Sequence, residues 1–114
     1  WKKIMRFKTF KQRLAAFFTE RSIPIFHNFS VKQDGETYAI WYELGVNRLD
    51  ADGEKAEQSM RASVQFFTKI EYSELPEELE SFFDSLDIAY ENETYADFNQ
   101  ETERYHYGWK VEFI

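Results

Sequence analysis

Between Met60 and Ile70 the chain alternates without a break: Met60, Ala62, Val64, Phe66, Thr68 and Ile70 interleave with Arg61, Ser63, Gln65, Phe67 and Lys69. Successive side chains of a strand point to opposite faces, so this pattern describes a long strand with one core face and one mostly polar face. The end of the chain repeats the device, with Tyr105, Tyr107, Trp109, Val111 and Phe113 alternating against His106, Gly108, Lys110 and Glu112. A third stretch follows the turn signal Asp34-Gly35 and is dense in aromatic and β-branched residues, with Tyr38, Ile40, Tyr42 and Leu44 assigned to the core side. It is expected to pair with the strand at 60–70 as a hairpin. Ile25, His27 and Phe29 suit a short edge strand, and Ile88 and Tyr90 open a further one.

Two segments carry the other periodicity. Phe10, Leu14, Phe17 and Phe18 recur at helical spacing after a possible capping box, Thr9-Phe10-Lys11-Gln12, and predict a helix over about 7–20 that Ser22-Ile23-Pro24 stops. Leu75, Leu79, Phe82, Phe83 and Leu86 predict a second helix over 74–86, with Glu77, Glu78 and Glu80 near the end where the helix dipole favours anions. Leu14, Phe17, Phe18 and Ile23 are spaced as Leu79, Phe82, Phe83 and Ile88 are, a faint echo that raises duplication as one explanation. Helix, strands, helix, strands define an α+β domain: a mainly antiparallel sheet of four to five strands with two helices packed on it, in the order α-β-β-β-α-β-β. Residues 7–114 are expected to form this single domain. Residues 1–6 are expected to stand outside it, disordered or non-native, with Met5 as a candidate initiator.

Composition limits what such a domain does. With no Cys there is no disulfide framework and no thiolate metal site, and the expected setting is the cell interior. The basic start followed by the apolar run 14–18 is too short for an export signal, and no stretch is long enough to cross a membrane. The net charge is −7, unevenly spread: residues 1–13 hold six Lys or Arg and no acid, whereas 70–103 hold twelve Asp or Glu and no base. Acidic balance opposes nucleic acid as the main ligand. Uneven charge suits a subunit that joins copies of itself head to tail, although an acidic run is also an ordinary solvated face.

No motif of bond chemistry emerges. Placing Gly53 at the glycine position of a calcium loop puts Arg48 and Ser59 where the two carboxylates belong, so Asp50, Asp52 and Glu54 read as a polar turn. His27 and His106 lack a second ligand at zinc spacing, and Glu103 and His106 lie on a strand where they face opposite sides. No cofactor is expected and catalytic and metal residues are expected to be none. The candidates are instead contact residues. The long polar connection over 45–59 brings Val46, Arg48, Leu49, Asp50, Asp52 and Glu54 to one loop, and long ordered loops in compact domains are often functional. Trp41 and Phe67 fall on the faces opposite the assigned core sets, which makes them either interface rings or rings beneath a helix.

The stretch Tyr38-Ala39-Ile40-Trp41-Tyr42-Glu43, the Asp/Gly loop, the strand over 63–69 and the ending over 101–114 together resemble the tail terminator, or tail completion, proteins of long-tailed bacteriophages and prophages. The likeness covers about 7–114 and lies in the pattern of elements, while the basic cluster at 2–13 departs from the family. The resemblance implies a virion structural protein, not an enzyme, assembled in the host cytoplasm and ending in the tail or neck. It implies a homo-oligomeric ring, typically of six, that stops growth of the tail tube protein and offers a surface to the head-tail connector protein, with DNA passing through unbound. Its alternatives are another tail or neck component, such as a tube or head-tail joining protein, and a small cytoplasmic ligand-binding domain or enzyme.

Overall fold

Alternate side chains of Gln58–Thr68 are buried, from Met60 to Thr68, and the strand they build is the centre of the molecule. A computed structural model describes residues 6–28, 35–48 and 58–113. In chain order the elements are α1 (Phe7–Glu20), β1 (Ile25–His27), β2 (Thr37–Arg48), β3 (Gln58–Thr68), α2 (Leu75–Ser85), β4 (Ala89–Asn99) and β5 (Arg104–Phe113). The five strands form one sheet in the order β1-β2-β3-β5-β4, antiparallel except for β1 against β2. This is the expected α+β fold. Among the described residues, no helix is long and apolar enough to cross a membrane.

Both helices lie on one face of the sheet. Phe10 of α1 meets Trp41 edge-on at 5.5 Å and stacks on Phe113 at 4.8 Å, while Phe83 of α2 packs on Trp109 and Tyr90. Trp41, Val64 and Trp109 are register partners across β2, β3 and β5, so the rings of the two helices cover one continuous floor. Each such fully buried side chain stabilises the fold by about 1.5–3 kcal/mol. Trp109 completes its site by donating Nε1–H to Glu80 Oε2 at 2.8 Å. The helices are joined by Phe17 on Phe82 at 4.8 Å and by Arg21, which lies 3.8 Å over the Phe17 ring and pairs with Glu78 at 3.1 Å.

The two helices end alike. After α1, Ser22 turns left-handed (φ 57°), with its N–H on Thr19 O and that of Ile23 on Phe18 O. After α2, Asp87 does the same (φ 59°), with its N–H on Asp84 O and that of Ile88 on Phe83 O. Both are Schellman caps, in which an apolar residue past the turn packs back on the last helical turn. The echo of spacing in the sequence is this cap, Phe18 with Ile23 and Phe83 with Ile88, and needs no duplication to explain it.

Several expectations are corrected. β2 turns the other way: Ala39 and Trp41 are in the core, while Tyr42 and Leu44 are exposed. Both faces of that stretch are apolar, so hydrophobicity could not choose between them. Register chose, by placing Ala39 opposite Phe66 and Trp41 opposite Val64. Ile70 is exposed because β3 stops at Thr68 and the chain turns, the Ile70 N–H bonding to Thr68 Oγ1. No capping box starts α1, whose N-cap is Arg6 with no side-chain cap, and Thr9 falls inside the first turn. The connection assigned to 45–59 is shorter, since β2 runs to Arg48 and β3 starts at Gln58, with a bulge between Glu43 and Gly45 where Gly45 takes a φ of 125°.

Candidate functional site

The sequence candidates do not converge. Trp41 is 3% exposed, sandwiched between Phe10 and His27, which stacks on it at 4.3 Å. It is a core ring, the second of the two readings open to it. Val46 is exposed on the last part of β2, and Arg48 ends that strand. Leu49, Asp50, Asp52 and Glu54 lie outside the described residues, as does Phe29.

Phe67 stands on the sheet face that neither helix covers. There it is the middle rung of a ladder across three strands, stacked on Tyr38 at 4.9 Å and on His106 at 4.6 Å, with interplanar angles of 20° and 5°. Arg104 closes the Tyr38 end, its guanidinium 5.4 Å from that ring and bonded to Gly35 O at 2.7 Å. Rings stacked on one another across strands stand edge-on, so the ladder gives its middle rung no bare face to a nucleobase. Such a face is what single-stranded nucleic-acid binders use. Gln65 continues the row, donating Nε2–H to Ser63 Oγ at 2.6 Å while its Oε1 accepts from His106 Nε2 at 2.5 Å. That acceptor fixes the His106 proton on Nε2. Burial pushes the imidazole pKa below its ordinary value, against the opposing pull of Asp97.

A second feature sits at the β4 margin. β4 is an edge strand carrying Tyr95 (62% exposed) and Phe98 (47% exposed), which lean on Tyr107 and Tyr105 at 5.1 and 4.9 Å. Tyr72, 88% exposed, lies close enough to Tyr105 that, after burial and Glu71, it helps push that phenol pKa up. The result is a ledge of rings in which Tyr107 is buried, Tyr105 is half-buried and Tyr72, Tyr95 and Phe98 are exposed. The edge itself is guarded. Register shifts at Asn92/Thr94 and Thr94/Asp97, a left-handed Ala96 (φ 52°) and the acids Glu91, Glu93 and Asp97 interrupt any continuous strand pairing. A partner would therefore meet side chains at this edge, not a backbone ladder.

Two further polar pairs are structural. His27 bonds Glu43 Oε1 at 2.5 Å; burial alone would raise the Glu43 pKa, but this bond and the backbone hold it below the usual carboxylate range. In the groove between the helices, Arg21 and Glu78 are already paired. Among the described residues there is no group of three or more His, Cys, Asp or Glu that could hold a metal ion. Sequence reasoning missed Tyr95, Phe98 and Tyr72. Their signal was present as apolar residues in an acidic, polar segment, but only the strand order shows that they share a margin. Compared with known proteins, the chain matches no family model and no curated protein.

Proposed function

We propose that this chain is an assembly subunit that works through protein contacts, a tail terminator-like structural protein of a long-tailed phage or prophage. In this reading it closes into a ring on the end of the tail tube, halts tube growth and presents a surface to the head-tail connector. The observation that carries it is the ledge of Tyr72, Tyr95 and Phe98. Exposed aromatics gathered on one margin are the usual content of interface hot spots, and here the strand edge beneath them is guarded against random pairing. The role needs no cofactor and no bond chemistry. The edge-on ladder and the acidic charge of −7 suit a ring through which DNA passes without adhering.

The test is the mass of the purified protein by light scattering over a range of concentrations, with electron microscopy of the largest species. A discrete closed ring is expected, and the Tyr95→Ser/Phe98→Ser double variant is expected to raise the concentration needed for it about tenfold or more. Long cylinders would point instead to a tube subunit. A strict monomer at every concentration would overturn the assembly reading.

A further inference from the structure

The ledge brings rings and acids together without a base. Tyr72, Tyr95 and Phe98 are exposed beside the half-buried Tyr105. Burial pushes the Tyr105 phenol pKa up, and the Glu71 carboxylate and the Tyr72 phenol add to the rise, so these three side chains lie within electrostatic reach of one another. Glu101 and Glu103 stand in the turn that joins β4 to β5, next to the register pair Phe98 and Tyr105. No Lys or Arg occurs between residues 70 and 103, a stretch that holds twelve Asp or Glu. Arg104, the first base after it, is turned to Tyr38 and Gly35 on the other face of the sheet.

The groove between the helices shows what rings and acids hold in this molecule. There the Arg21 guanidinium lies 3.8 Å over the Phe17 ring while its Nε donates to Glu78 Oε1 at 3.1 Å. The negative face of an aromatic ring attracts a cation, and a neighbouring carboxylate adds a charge-assisted hydrogen bond. A guanidinium serves both at once, because it is planar, lies flat on a ring and keeps its N–H edges for the carboxylate. An ammonium is a more strongly hydrated point charge and gains less from the same site. The ledge has the ring and the carboxylate of this arrangement, and the stretch that builds it has no cation of its own.

We infer that the partner segment covering the ledge carries an arginine, whose guanidinium lies against the exposed rings while bonding the Glu71 carboxylate. The inference rests on the reading of the ledge as a protein contact, and names the chemistry of what it contacts.

The test is a titration of isotope-labelled protein, held below the concentration at which it associates, with a capped peptide of alternating glycine and arginine. The same peptide with lysine, or with citrulline, in place of arginine serves as the comparison. Shifts are expected at Tyr72, Tyr95, Phe98 and Tyr105, with the arginine peptide binding about threefold more tightly than the lysine one and about tenfold more tightly than the citrulline one. Tyr72→Ser/Tyr95→Ser and Glu71→Gln are each expected to remove the preference for arginine over lysine, and the tyrosines changed are exposed, so the core is left intact. Equal binding of the arginine and lysine peptides would overturn the inference, since the net charge of −7 alone attracts either cation. So would a preference that persists in both variants. A ring weakened by Tyr95→Ser/Phe98→Ser without any arginine preference would overturn the inference and leave the assembly reading standing. A strict monomer that shows the preference would overturn the assembly reading alone.

Discussion

Gly108 is the residue at which the least chemistry decides the most. It is buried on β5, and a Cβ there would come 2.7 Å from Gln65 Oε1, the atom that accepts from His106. Gly108→Ala is therefore expected to displace the Gln65 carboxamide, breaking its bonds to Ser63 and His106, and, because the atom met is the far end of a flexible side chain, to destabilise the protein by no more than about 1 kcal/mol. In a Gln65→Ala background the same change should cost far less, so a double-mutant cycle by urea unfolding isolates the clash. His106 yields a prediction in pH. Its folded-state pKa is below the ordinary value of 6.5, so as pH falls through that value the unfolded chain takes up the proton first. Stability from this group is complete above about pH 7 and declines as pH falls below 6.5 toward the folded-state pKa. Unfolding free energies across pH 5–8 should show this slope in the wild type and lose it in His106→Gln. An identical slope in the variant would assign it elsewhere.

Elements are bounded by backbone geometry as much as by apolar periodicity. Both helices were legible within a residue of their ends, because Phe10, Leu14, Phe17 and Phe18, and Leu75, Leu79 and Phe83, are the residues that became buried. How each helix stops was not legible, since Ser22 and Asp87 adopt a left-handed conformation that their side chains disfavour. The Schellman bonds and the packing of Ile23 and Ile88 hold them there. Ser22→Gly and Asp87→Gly are each expected to raise stability by about 1 kcal/mol, measured by urea unfolding, because glycine takes this conformation without a Cβ penalty. A loss of stability would mean that the side chains contribute more to the caps than the strained backbone costs. At the other end of α1, Arg6 occupies an extended N-cap with no side-chain cap.

At the scale of the whole molecule, adjacency replaces order along the chain. Residues far apart in sequence, Tyr72, Tyr95, Phe98 and Tyr105, become one ledge because β5 inserts between β3 and β4. The same insertion lets both helices share β5, Phe10 of α1 stacking on Phe113 and Phe83 of α2 packing on Trp109, with Arg21 and Glu78 pairing between them. Ring formation and its dependence on Tyr95 and Phe98 both belong to this scale. Each is read as the mass of the assembly rather than as the stability of one copy.

Periodicity and composition by themselves determined the two helices, the order of elements and the α+β class, because the spacing of apolar residues is a local property of the chain. They also placed Phe67 on the face opposite the β3 core set, while leaving open whether a helix covers that face. What only the tertiary structure decided was the face of β2, where Tyr38, Ile40 and Tyr42 compete with Ala39 and Trp41. Choosing between two apolar sets requires a partner strand and its register. It likewise decided the ledge and the ladder, because each is made by strands brought side by side, and strand order is a property of the packed sheet.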